Sequence, residues 1–356
     1  MTTRAPVLTM AHSPAHRALQ RGLTLIELMV AMAIGLVVMA TMLKVYVDSS
    51  RLYRFSTGLS RIQENGRFGL EFIRQDARLA GFWGCYHDIT LSNRISTTNS
   101  NCRPYTGTGT VCTNTSGKGN NIGGTNNNPA TAPLVATSDT ITFRGATGAA
   151  MSLSGDVGTS GAVGVTSTGS IQTGDTVLIS NCEVGDIFEV TATGAGTLTH
   201  GAGSNTTADL LNSYEQAASS VYLVQEHTYC VAAGVDGTTP ALRRLTFPNG
   251  LGAAATCAAN GDEMVEGVED MQILYGEDTD ADNVANRYVA AGTAALAMQN
   301  VVSVRISLLL RSVQNNLLTD PTQVTYNGAN FPNPLPATDR YLRKVFNATI
   351  SVRNGE

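Results

Sequence analysis

Apolar residues run from Leu23 to Leu43 with one charged side chain among them, Glu27. The run continues to Val47 without a Pro, and about 20 apolar residues in a helix cross ~30 Å of hydrocarbon. From residue 48 the pattern changes period rather than ending. Leu52, Phe55, Leu59, Ile62, Gly66, Gly69 or Leu70, Ile73 and Ala77 recur at steps of three and four, as on one face of an amphipathic helix. Arg51, Arg54, Arg61, Glu64, Arg67, Glu71, Arg74 and Arg78 occupy the other face. The spacing predicts one helix from about Leu25 to about Ala80, roughly 80 Å at ~1.5 Å per residue. Gly81 and Gly84 are its stop signals. Gly58, Gly66 and Gly69 inside it each cost up to ~1 kcal/mol relative to Ala, so they mark bends or a close approach of the sheet.

After the helix the period shortens. Thr140–Arg144, Thr176–Asn181, Asp186–Thr191, Ser220–Val231, Leu242–Phe247, Met264–Tyr275, Val301–Leu310 and Lys344–Arg353 alternate or are β-rich between Gly, Asp and Asn. Residues 92–135, rich in Ser, Thr, Asn and Gly, read as a long loop or insertion, and residues 146–170 as a floppy hairpin. Strands following one long helix indicate an α+β fold with an antiparallel sheet packed on the stem.

Composition and charge sharpen this picture. The chain has 356 residues, 42% hydrophobic and only 14% charged, enough for one large domain or two small ones. Residues 1–22 carry three Arg and no acid, residues 44–80 balance to +3, and residues 81–356 to −10. Upstream Arg favours a cytoplasmic N-terminus, and the acidic head argues against nucleic acid as a direct partner. Six Cys (85, 102, 112, 182, 230 and 257) all lie on the far side of the apolar run, with no metal-type spacing. They point to disulfides in an oxidising compartment. Of fifteen connectivities, Cys102–Cys112 and Cys230–Cys257 close short segments, and elimination then leaves Cys85–Cys182.

Glu27 is the anomaly. A carboxylate deep in lipid costs roughly 2.5–3.5 kcal/mol on insertion scales and usually has a partner or a task. A secretory signal has a shorter apolar region, and a plain signal anchor leaves the acid unexplained. The stretch "RGLTLIELMVAMAIG" resembles the leader junction of type IV pilins and pseudopilins, with Leu where Phe is usual at the first mature position. The resemblance implies cleavage after Gly22 by a prepilin peptidase, N-methylation of Leu23, and an assembly role for Glu27. An ammonium at Leu23 and the Glu27 carboxylate of a neighbouring subunit would relieve each other's desolvation, making Glu27 a register device. The stretches "GLEFIRQDARLAGFWGC", "GDTVLISNCEVGDIFEVT" and "VEGVEDMQILYGEDTDADNVANRY" are similar to the PilW family of minor pilins.

That resemblance implies four segments: a leader (1–22), a transmembrane half-helix (23–47), an amphipathic stem (48–84) and a β-rich periplasmic head (85–356). It implies a minor pilin, not an enzyme, held in the bacterial inner membrane before entering a pilus fibre. Its partners would be other minor pilins, the major pilin, the prepilin peptidase and the inner-membrane assembly platform. A J-type pseudopilin of type II secretion and a membrane-anchored periplasmic binding protein are the alternatives. No GxSxG, HExxH or P-loop is present. The one constellation with site-like spacing is "EDTDADNVANRY". Asp278, Asp280 and Asp282 occupy alternate positions, as in calcium loops, with the Val284 carbonyl and Asn286 as further ligands. Asn283 stands where Gly is usual and Val289 where Glu is usual, so Glu277 would complete the set.

Overall fold

The computed structural model describes residues 24–85, 89–99, 102–105, 116–127, 138–248, 255–332 and 336–352. The chain divides into two compact units, the second beginning at Arg54. One α-helix, Leu25–Leu79, contributes to both, close to the bounds its periodicity predicts. In the first unit, side chains from Thr24 to Ser49 are exposed throughout. That helix is long and apolar enough to cross a membrane.

In the second unit the helix turns Ile62, Gly66, Gly69, Ile73 and Ala77 inward. The glycines resolve the choice between bend and close approach. A Cβ on Gly66 would lie 2.5–2.6 Å from the Phe346 ring, one on Gly58 2.5 Å from Leu317 Cδ1, and one on Gly69 3.2 Å from Leu308 Cδ1. Glycine is used here because the sheet side chains occupy the space of a methyl group.

Two main sheets build the head. The larger runs Asp262–Glu266, Pro240–Phe247, Ser220–Ala233, Thr176–Ser180, Val184–Glu189, Thr90–Asn93, Ser116–Gly117, with Thr140–Ser152 paired to the other edge of Ser220–Ala233 and Ile122–Thr125 beyond it. The smaller runs Arg287–Val289, Val268–Glu277, Val301–Arg311, Arg343–Ser351. One core joins them to the helix. Ile73 and Ala77 of the helix, Phe143, Tyr229 and Leu242 of the larger sheet, and Ile273, Ile306 and Leu308 of the smaller are all buried in one cluster.

Four features depart from the sequence-based expectations. Met264–Tyr275 is two strands, not one: the chain leaves the larger sheet at Glu266 and enters the smaller at Val268. Gly267 makes the turn at φ +81°, a conformation that costs other residues a steric clash. Thr90–Asn93 and Val184–Glu189 pair in parallel, within an otherwise antiparallel sheet. Residues 146–170 are not a floppy hairpin. Strand Thr140–Ser152 extends into them, and Leu153, Val157, Val163 and Val165 are buried in a core of their own with Phe188 and Tyr214. Parts of 92–135 form strands, at Ser116–Gly117 and Ile122–Thr125.

Gly66→Val places a branched side chain against Phe346, and the expected loss is about 1–3 kcal/mol, as for other overpacked sites. Chemical denaturation checks it: the double variant with Phe346→Ala should recover part of the loss, whereas unchanged stability in Gly66→Val would refute the close contact.

Candidate functional site

Thr24 and Glu27 form a reciprocal capping box at the helix start. Glu27 Oε2 accepts from the Thr24 N–H and from the Thr24 hydroxyl, each at 3.0 Å, and Thr24 Oγ1 accepts from the Glu27 N–H at 3.3 Å. Thr-x-x-Glu before an apolar run is the sequence signature of this box, a signal missed when Glu27 is treated as a lone acid. The box satisfies N–H groups that a helix otherwise leaves open at its N-terminus. Gly22 and Leu23 lie outside the described residues.

A second acid lies on the inward face of the helix. Asp76 is buried, and its Oδ2 accepts from the Tyr229 hydroxyl at 2.5 Å, lies 2.8 Å from His227 Nδ1 and 3.6 Å from Arg244 Nη1. Burial works against its charge, but His227, Tyr229 and Arg244 outweigh that and hold the carboxyl below its usual range. Tyr229, His227 and Arg244 belong to strands of the larger sheet, so this cluster fixes the helix to the sheet by charge as well as by packing. In sequence Asp76 precedes apolar Ala77, and nothing local marks it as buried. Just beyond the helix, Cys85 is bonded to Cys182 (S–S 2.01 Å), and Cys230 to Cys257 (2.05 Å). Cys102 is also disulfide-bonded, and Cys112, its expected partner, lies outside the described residues.

A third group sits between the sheets. Asp139 N–H donates to the Met271 carbonyl at 2.9 Å. The Asp139 carboxyl accepts from the N–H groups of Asn127 and Ile273, each at 2.8 Å. Beside it, burial outweighs the Met271 N–H and the Gln272 amide and pushes the Asp270 carboxyl up to about 7, with the Asp139 charge adding to the rise.

The acidic loop is a self-closed turn. Asp278 Oδ1 accepts from the N–H groups of Asp280 (3.1 Å) and Ala281 (2.7 Å), and its Oδ2 from that of Asn283 (2.8 Å). Ala281 and Asn283 adopt φ of +62° and +64°. One oxygen each of Asp278, Asp280 and Asp282 come within 4.8 Å of one another, so the sequence-predicted carboxylates do converge. Two of the remaining ligands of the expected set, Asn286 and Glu277, have partners of their own. Asn286 Oδ1 accepts from the Thr279 N–H at 2.6 Å. The Val284 N–H donates to Asp282 Oδ1 at 2.8 Å. Glu277 is buried against Arg287, with Nη2–Oε2 at 2.6 Å, and accepts from the Ala297 N–H at 2.9 Å.

Residues 228–354 match the family described as Type IV Pilus-assembly protein W, and residues 17–43 match the prokaryotic N-terminal methylation motif. No curated protein matches the chain. Among solved structures, a type IV-like pilin from Thermus thermophilus aligns over 37% of this chain and 69% of its own, at 18% identity and a TM-score of 0.22. The prepilin motif on a long apolar helix, with a largely β-sheet head behind it, defines a type IV pilin-like protein. Over residues 228–354 the chain is similar to the PilW family of pilus-assembly proteins.

Two measurements follow. Asp270 holds its proton in the folded state at pH values where the unfolded chain has lost it. Its contribution to stability is therefore full below the unfolded value near ~3.9 and declines as pH rises through about 7. The slope is at most about 1.4 kcal/mol per pH unit. Asp270→Asn should flatten this decline in thermal melts taken between those limits. Asp278→Ala should lower the melting temperature equally with calcium and with a chelator, because backbone N–H groups hold the loop; a drop seen only with calcium would place a cation there.

Proposed function

We propose that this chain primes type IV pilus assembly as a minor pilin in a tip complex, after a prepilin peptidase cuts between Gly22 and Leu23 and the new terminus is methylated. The observation that carries the reading is the Thr24–Glu27 box at the head of an exposed apolar helix. In a fibre core the helix N-terminus must be satisfied without water, and the box does this within one subunit. The ammonium of a neighbouring chain then meets a carboxylate already held in place, which favours one axial stagger. Before assembly the apolar segment sits in the inner membrane and the disulfide-bonded head in the periplasm, facing other minor pilins and the assembly platform.

N-terminal mass spectrometry of protein from cells with and without the leader peptidase tests the processing. The expected product is a methylated Leu23 terminus that depends on the peptidase; retention of residues 1–22 in both would overturn the proposal. Glu27→Gln removes the charge while keeping an amide acceptor for Thr24. It should lower recovery in sheared filaments by about tenfold or more, consistent with ~1.4 kcal/mol of lost pairing, while membrane insertion is unchanged.

A further inference from the structure

The outward face of the smaller sheet carries two cross-strand rows. Leu274 pairs with Arg305 and Arg305 with Thr349; Gln272 pairs with Ser307 and Ser307 with Asn347. Asn127 stands at one side of these rows and Asn327, at the tip of the Val324–Phe331 hairpin, at another. Gln272, Leu274, Arg305, Ser307, Asn127 and Asn327 line a cavity of about 260 Å³.

Arg305 gives the cavity its character. Its side chain is exposed and forms no ion pair among the described residues. The guanidinium carbon lies 4.0 Å from the Tyr288 ring centroid, and the Tyr288 hydroxyl is hydrogen-bonded to Ser303 Oγ at 2.9 Å. A fixed ring therefore holds the planar fork in one orientation, as bidentate recognition of a carboxylate requires. Asp139 also borders the cavity. Both its oxygens already accept backbone N–H groups, and burial pushes its carboxyl up, so it opposes an incoming anion only weakly.

We propose that this cavity binds a carboxylated monosaccharide of the uronic acid class. Arg305 takes the carboxylate, and Asn127, Asn327, Gln272 and Ser307 address the ring hydroxyls. Asn327 Nδ2 donates to Gln272 Oε1 at 3.4 Å and Gln272 Nε2 to Asp270 Oδ2 at 3.2 Å, which holds these amides in place, and the remaining donors and acceptors of Asn127 and Asn327 suit an array of hydroxyls. The single cation is too little for a polyanion. Ile273, Leu274 and Ala290 are the apolar lining residues among a polar majority, too little for an aromatic or lipidic ligand. The volume lies below the ~300–1,000 Å³ of drug-sized pockets and suits one sugar ring. The site is independent of the assembly role and stands or falls separately from it.

Calorimetric titration of the full chain in detergent with glucuronate tests the assignment, with glucose and acetate as controls. Glucuronate should bind at least about tenfold more tightly than either control, because the carboxylate and the hydroxyls each contribute hydrogen bonds. Arg305→Gln should abolish the preference over glucose, with melting temperature unchanged. Should Arg305→Gln fail to fold, Asn327→Ala, at the exposed hairpin tip, should weaken glucuronate several-fold. Absence of heat at millimolar glucuronate, equal binding of acetate and glucuronate, or full binding by a folded Arg305→Gln protein would each overturn the proposal.

Discussion

The head depends on how closely its sheets approach the helix. Residues without a side chain at Gly58, Gly66 and Gly69 let Leu317, Phe346 and Leu308 pack directly on the helix backbone. Each glycine weakens the helix as an isolated element, and the apolar contact it admits offsets that cost. This proximity also brings Asp76 to Tyr229 and His227 at hydrogen-bond distance. A charge buried at a looser interface would be hydrated or unpaired; here it is desolvated and met from several sides, the condition under which a buried acid is tolerated. The Cys85–Cys182 bond adds a covalent tie between the end of the stem and the same sheet.

Much of this was legible in the residues, and the failures have physical causes. The helix was readable because periodicity over 55 residues is a strong signal and because Gly81 ends it. The inward face was readable down to Ile62, but Leu52, though in phase, is exposed, since phase alone does not say where cover begins. Met264–Tyr275 has the local pattern of one strand, because a Gly within a strand and a Gly where the chain changes sheets look alike in sequence. Residues 146–170 failed because their small side chains carry little hydrophobic contrast, although Val163 and Val165 anchor a core. Parallel pairing of Thr90–Asn93 with Val184–Glu189 joins segments some 90 positions apart, and no local pattern encodes such a partner.

The site residues divide in the same way. Glu27 stands out by being charged in an apolar run, while its nearest partner, Thr24, is an ordinary polar residue that only the Thr-x-x-Glu spacing marks. The acids of the loop are visible by spacing, and they do converge, but spacing does not show which further partners they have. There the backbone N–H groups already take up Asp278, and Arg287 takes up Glu277. Asp76, Asp139 and Asp270 carry no local mark at all, because their environment is made by strands distant in the chain.

Strand Ser220–Ala233 holds three neighbours: Thr140–Ser152 along one edge, and Thr176–Ser180 followed by Pro240–Phe247 along the other. The stretch that bears the family signature begins at residue 228, inside this strand. The bounds of the match and the bounds of the sheet therefore do not coincide. Cutting the chain at residue 228 would leave half of this strand with an open ladder, so the matched stretch needs the strands upstream of it to complete its sheet.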